Sequence, residues 1–164
     1  MKIILMRHGN ALSGSPDAAR RLSKQGVDEA TASGNFLRSI GEFPQIILHS
    51  GLRRSLETAE YVEKALGVSG VLRLHGGLKP NDSPGDFYSD IQTAFCEYDC
   101  LDGSIMIVGH EPFMSELAAL IMKHALTFGT GTLLMAERNQ HEYTWYLRFY
   151  VQAKYLVKAF DSVS

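Results

Sequence analysis

Met1-Lys2-Ile3-Ile4-Leu5-Met6 is an apolar run that stops at Arg7-His8-Gly9-Asn10. A second run, Ser104-Ile105-Met106-Ile107-Val108, stops in the same manner at Gly109-His110-Glu111-Pro112. Both have the length and composition of short strands buried on both faces. In an open α/β sheet the carboxyl ends of neighbouring strands line the ligand crevice. His8 and His110 can therefore meet there although about a hundred residues lie between them. With an anion between them, one imidazole can attack and the other can donate a hydrogen bond.

Arginines supply the reason to expect an anion. Arg7 directly precedes the first histidine, and Arg53-Arg54 follow a third apolar run, Gln45-Ile46-Ile47-Leu48-His49. The pair falls in the first turns of a helix expected over 51–66, where free N–H groups and a partial positive charge point outward. Guanidinium groups bind phosphate through two parallel hydrogen bonds. An Arg-His strand end, an arginine at a helix start and a second histidine together describe a phosphate clamp.

The rest of the chain alternates strand and helix signals. Ser23 caps a helix running to about Ile40, with Val27, Ala30, Gly34, Leu37 and Ile40 at helical spacing and Gly41 as its stop. A strand over 45–48 leads to the 51–66 helix, which turns Leu52, Leu56, Ala59, Val62 and Leu66 inward and ends at Gly67. A strand over 71–74, a Gly/Pro-rich loop over 76–85 and a helix over 86–96 follow. After the strand over 104–108, a helix over 111–124 buries Phe113, Leu117, Leu120 and Ile121. Stretches 132–137 and 143–151 read as an antiparallel pair joined around 138–141, and 153–160 as a weak element. Alternation of this kind predicts a mostly parallel central sheet with helices on both faces, and the hairpin adds an antiparallel edge.

At 164 residues the chain is expected to form one domain, 1–164, with a sizeable core. A net charge of −2 with dispersed basic residues gives no footprint for nucleic acid, so the arginine cluster is local to a site. No apolar run approaches the ~20 residues of a membrane span. The Met1–Met6 run is too short for a signal-peptide core, and cytoplasmic residence is the expectation. Cys96 and Cys100 fit neither a zinc site nor a redox CxxC pair and are expected to be reduced structural thiols. His49, His75, His124 and His141 are scattered without metal-ligand spacing, so no metal is expected. Tyr143, Trp145, Tyr146, Phe149 and Tyr150 read as core and edge packing.

Four segments carry a family resemblance. Arg7-His8-Gly9 is similar to the Arg-His-Gly signature of the histidine phosphatase (phosphoglycerate mutase-like) superfamily. Asp17-Ala18-Ala19-Arg20-Arg21-Leu22-Ser23-Lys24-Gln25-Gly26 resembles its Arg-x-Leu-Ser/Thr-x-x-Gly segment. Ser50-Gly51-Leu52-Arg53-Arg54-Ser55-Leu56-Glu57-Thr58-Ala59 is similar to its Ser-Pro-x-x-Arg-Ala-x-Gln-Thr-Ala motif, and Val108-Gly109-His110-Glu111-Pro112 to its third. The absence of an inserted cap domain most resembles the SixA-type phosphohistidine phosphatases. The resemblance implies a phosphoglycerate mutase-like three-layer α/β/α sandwich and no cofactor. It implies His8 as the nucleophile that forms phosphohistidine, with Arg7, Arg54 and His110 binding the phosphoryl oxygens. Asn10 and Ser50 are candidates for neutral hydrogen bonds near the phosphate, and Arg20 and Arg21 for substrate contact at the rim. Arg53 falls one step off the family arginine and is expected to be a solvated neighbour. Glu57 replaces the usual glutamine and is expected to pair with an arginine.

Two departures matter. Gly51 stands where the family has proline, which is expected to loosen the turn before the helix. Larger relatives place a carboxylic acid after the third strand to protonate a leaving alkoxide. Here that region offers only Asp82 and Asp86, either of which can equally be a turn or cap residue. A phosphorylated imidazole leaves far more easily than an alkoxide, so a site without a strong acid suits a phosphoramidate. The expected activity is dephosphorylation of phosphohistidine on a protein, such as a phosphotransfer or phosphorelay domain. The alternatives are a small-molecule phosphomonoesterase or mutase-like enzyme and a non-catalytic phospho-binding module.

Overall fold

A computed structural model describes residues 1–97, 103–139 and 144–161. Cys100, the turn at 140–141 and Tyr143, on which sequence expectations bear, lie outside the described residues, as does the side chain of Cys96. Six strands form one sheet in the order β3-β2-β4-β1-β5-β6. They are β1 (Lys2–Arg7), β2 (Ile46–His49), β3 (Leu72–Leu74), β4 (Ser104–Gly109), β5 (Leu133–Arg138) and β6 (Trp145–Val151). The four on the β3 side run parallel, and β5 pairs antiparallel with both β1 and β6. Five helices cover the sheet: α1 (Lys24–Ser39), α2 (Arg53–Leu66), α3 (Pro84–Glu97), α4 (Phe113–Met122) and α5 (Ala153–Asp161). The expected α/β/α sandwich with an antiparallel edge is therefore the observed architecture, and the described residues form no cap domain.

The apolar runs decide the layers because alternate strand residues face opposite helices. Ile3, Leu5, Ile105 and Ile107 pack with α3 and α4 through Phe87, Phe113, Met114 and Leu117. Ile4, Met6, Met106 and Val108 pack with α1, α2 and α5 through Ala30, Leu37, Ala59, Val62 and Leu156. A strand buried on both faces needs no polar alternation, which is why these stretches read as continuous apolar runs.

The helix boundaries follow their caps. Ser23 Oγ accepts from Gly26 N–H and starts α1, as its sequence position predicts. Gly67, at φ 74°, ends α2 in the left-handed conformation. Three expectations are corrected. Ile40 lies past α1 and is 45% exposed, and Leu120 of α4 is 38% exposed. Each lies at the edge of its helix's apolar stripe, where spacing alone does not distinguish core from surface. The 76–85 loop contains a 3₁₀ turn, Gly76–Leu78, that drives Leu78 fully into the core, and α3 begins at Pro84. The weak 153–160 element is a regular helix, α5, whose Ala153 and Leu156 complete the core beside α1.

Candidate active site

The parallel register of β1 and β4 pairs Arg7 with Gly109. The next residue of each strand is therefore a histidine at the same height. The His8 N–H donates to the Gly109 carbonyl at 3.0 Å, and the rings of His8 and His110 lie 4.9 Å apart, tilted by 53°. Both are buried, at 7% and 1% exposure. The two strand ends meet as the apolar runs predict, and they bring these two histidines together.

The tautomer of His8 is fixed by its own neighbour. The His8 Nδ1–H donates to the Gly9 carbonyl at 2.7 Å. That leaves Nε2 as the lone pair, and the Arg54 Nε–H points at it from 3.3 Å. An imidazole so held can attack phosphorus without first losing a proton. The structure supplies the carbonyl partner that sequence could not name.

His110 Nε2 lies 2.6 Å from Ser50 Oγ, while its Nδ1 is buried without a partner. An orphaned buried lone pair costs less than an orphaned N–H, so the proton belongs on Nε2. Ser50 Oγ also accepts from Leu52 N–H at 3.3 Å. The His110 Nε2–H is thus donated to Ser50 Oγ, which holds the ring in place.

The second motif now reads residue by residue. Arg54, in the first turn of α2, is 5% exposed. Ser55 Oγ donates to the Val108 carbonyl at 2.8 Å, tying α2 to β4. Thr58 Oγ1 accepts from Gly9 N–H at 3.1 Å and donates to the Arg54 carbonyl at 2.7 Å, tying α2 to the turn after His8. Glu57 accepts from Arg53 Nε, Arg21 Nε and Leu22 N–H at 2.8, 2.7 and 2.8 Å. Burial pushes the Glu57 carboxyl up, but the Leu22 N–H and the two arginines outweigh it and hold it below the usual carboxylate range. Glu57 therefore anchors the 11–22 loop, and Arg53 is its partner rather than a free surface charge.

Gly51 corrects the expected effect of losing proline. Its φ of 80° is one that proline cannot adopt. The turn is thus differently built rather than loosened, with Gly51 N–H on His49 Nδ1 at 3.2 Å. The fourth motif is explained by close approach. A Cβ on Gly26 would lie 2.0 Å from the Asn10 carbonyl oxygen, so only glycine lets α1 meet the loop after His8.

Arg7 donates Nη1 to the Phe128 carbonyl at 2.7 Å, and its Nε is buried without a partner. Asn10 Oδ1 accepts from Ser23 Oγ at 2.7 Å, which ties its side chain to the α1 cap. Arg20 Nε donates to the Leu12 carbonyl at 2.8 Å and Nη1 to Asp17 Oδ1 at 3.0 Å. Asp82 Oδ2 accepts from Lys79 N–H at 2.7 Å, and Asp86 lies exposed in the first turn of α3. Neither forms a hydrogen bond or ion pair with the histidine pair or its arginines. Among the described residues, no group of three or more His, Cys, Asp or Glu is placed to hold a metal ion. No helix of the described residues is long and apolar enough to cross a membrane.

Sequence reasoning missed three contributors. Asp17, Ser55 and Thr58 all bond to the site's framework. The helical spacing of Arg54 and Thr58, four apart on one face of α2, was the available signal for one of them. Asp17 carried none, because its role depends on how the 11–22 loop folds over α2.

Residues 3–79 match the family described as histidine phosphatase superfamily (branch 1). Over those residues the chain is similar to this superfamily. Its fold is similar to the protein histidine phosphatase SixA complexed with tungstate, at TM-score 0.85 and 22% identity, over 95% of this chain and 99% of that one. It is also similar to a mycobacterial glucosyl-3-phosphoglycerate phosphatase, Rv2419c, in complex with VO3. There the TM-score is 0.67 with 17% identity, over 90% and 97% of the chains. No curated protein matches by sequence. The matched segment ends before β4, so the place of His110 rests on the sheet geometry above.

Burial pushes the His8 ring down to about 4, helped by Arg54, Arg7 and Arg20 and opposed by the Gly9 carbonyl. Burial also pushes His110 down to about 3, with His8 and Arg54 adding to it and Asp17 opposing. Both rings are neutral at pH 7, as a nucleophile and a neutral donor require. Their unfolded value is 6.5, so between 6.5 and about 4 the unfolded chain binds more protons than the folded one. Stability contributed by the neutral pair is complete above 6.5 and is lost as the pH falls through that window. An NMR titration of the His8 and His110 ring nitrogens is expected to show neutral signals down to pH ~5. Titration of either ring near the ordinary histidine value would contradict this geometry.

Proposed function

We propose that this protein is a phosphatase that removes the phosphoryl group from phosphohistidine on another protein, through a phosphoenzyme on His8. One observation carries the phosphoenzyme. The His8 Nδ1–H is committed to the Gly9 carbonyl, and its Nε2 lone pair faces the Arg54 guanidinium beside a second neutral imidazole.

His8 Nε2 attacks phosphorus in line, and the bond to the leaving group breaks. The phosphoryl group then sits on an imidazole that keeps its Nδ1 proton, which makes it a good leaving group in turn. Water attacks phosphorus, and the electron pair of the P–N bond returns to Nε2. Arg54 and Arg7, joined by the His110 Nε2–H once it exchanges Ser50 Oγ for a phosphoryl oxygen, spread the charge developing on the equatorial oxygens. The Gly9 carbonyl keeps the ring oriented through both steps.

The choice of leaving group rests on what surrounds the pocket. Both carboxylates expected near β3 are occupied or exposed elsewhere, so neither supports protonation of an alkoxide. The lack of a cap leaves the mouth open to a histidine displayed on a protein surface. The SixA neighbour supports this reading, and the glucosyl-3-phosphoglycerate phosphatase neighbour supports a small phosphate ester as the alternative.

A substrate panel separates them. Phosphohistidine on a phosphotransfer domain is expected to be hydrolysed with kcat/KM at least ~10²-fold above that for sugar phosphates. Faster turnover of the sugar phosphates would overturn the protein substrate. Binding of phosphohistidine without turnover would overturn the enzyme.

A further inference from the structure

We infer that Asp17 is a specificity-determining residue, its carboxylate receiving the ring N–H of a phosphoimidazole leaving group as the P–N bond breaks. The inference rests on the phosphohistidine reading and names a residue that enforces it.

Asp17 opens the 3₁₀ turn Asp17–Ala19, in the loop that folds over α2. Its Oδ2 lies 3.1 Å from Arg54 Nη2, and its backbone carbonyl accepts from Arg54 Nη1 at 2.9 Å. The Asp17 side chain is 62% exposed and that of Arg54 only 6%. On its other edge, Arg54 meets buried His8 Nε2. From the floor of the pocket outward the order is therefore imidazole, guanidinium, carboxylate. An in-line attack by Nε2 expels the leaving group away from the floor. That direction is the side on which Asp17 stands.

Asp17 stays there when a phosphoryl group arrives. Its Oδ1 is held by Arg20 Nη1 at 3.0 Å, and Arg20 Nε is fixed on the Leu12 carbonyl at 2.8 Å. A phosphoryl oxygen that takes over the Arg54 Nη2–H leaves this second tether intact. The carboxylate is then fixed at the rim with one oxygen available. Arg20, a rim candidate in the sequence, thus acts by holding Asp17.

The chemistry distinguishes phosphoramidates from esters. A phosphoimidazole protonated on its other ring nitrogen is cationic. When the P–N bond breaks, its electron pair stays on the leaving nitrogen, and the His8 Nε2 pair forms the new P–N bond. The product is a neutral imidazole that still carries its N–H, so no proton has to be delivered during the step. A carboxylate on that N–H favours the protonated ring, as a buried aspartate does for a catalytic histidine. An alkyl or aryl ester offers no N–H, and its departing oxyanion is repelled by the same carboxylate. Asp17 thus attracts one class and rejects the other.

The test compares Asp17→Asn with wild type on phosphoimidazole and on p-nitrophenyl phosphate. The variant keeps the size of the side chain and an oxygen for Arg54, but loses the charge. The ratio of kcat/KM for phosphoimidazole to that for the ester is expected to fall ~10–100-fold, the worth of one charge-assisted hydrogen bond. Asp17→Glu is expected to restore part of the ratio. An unchanged ratio, whether both activities fall together or neither moves, would overturn the inference and leave Asp17 as a support for Arg54. The phosphohistidine reading fails separately, on the wild-type protein, if phosphoimidazole and phosphohistidine proteins are both poorer substrates than esters.

Discussion

His8→Ala is expected to abolish turnover on every phosphorylated substrate, by ~10⁵-fold or more, as loss of the nucleophile does in other covalent catalysts. No neighbour can substitute. His110 carries its proton on Nε2 and donates it to Ser50 Oγ at 2.6 Å, so that nitrogen offers no lone pair to phosphorus. The fold is expected to survive, because the His8 side chain bonds only within its own turn, to the Gly9 carbonyl, and to Arg54, which Asp17 also holds. Thermal melting and activity of the purified variant check both halves. A variant that unfolds would make His8 a structural residue, and one that still turns over would remove it from the mechanism.

Arg54→Ala is expected to cost ~10²–10³-fold in kcat/KM, the usual cost of deleting one preorganised donor to a developing oxyanion. Its guanidinium donates through Nε to His8 and through both Nη atoms to Asp17, so it is held in place beside His8 and a phosphoryl oxygen needs only to take over the Nη2–H from Asp17 Oδ2. Arg54→Lys is expected to recover little, because an ammonium group cannot present two parallel donors. Steady-state kinetics on both variants decide the matter. A loss of less than about threefold in Arg54→Ala would show that the phosphoryl group does not rest on this residue.

The residues that make this site were legible to different degrees. Two apolar runs ending in histidine gave the sheet and the meeting of His8 with His110, because parallel neighbours in register must bring their carboxyl ends together. Arg54 was legible from its place at the start of α2. Asp17 was not, since it reaches Arg54 only through the fold of the 11–22 loop, which Glu57 fixes by binding Arg21 and the Leu22 N–H. Gly51 was misread for a related reason. A departure from proline suggested slack, but the backbone there takes a left-handed turn that proline forbids. Leu120 and Ile40 show the limit of helical spacing, which identifies a stripe but not where its edges meet solvent.

The central claim is that His8 Nε2 carries the phosphoryl group between substrate and water. Rapid quenching of the wild-type protein during turnover, under mildly alkaline conditions, followed by peptide mapping, tests it most directly. The expected result is an acid-labile phosphate on the peptide containing His8 and none in His8→Ala. Phosphate on a different residue, or steady turnover with no phosphorylated peptide at any time, would contradict the mechanism.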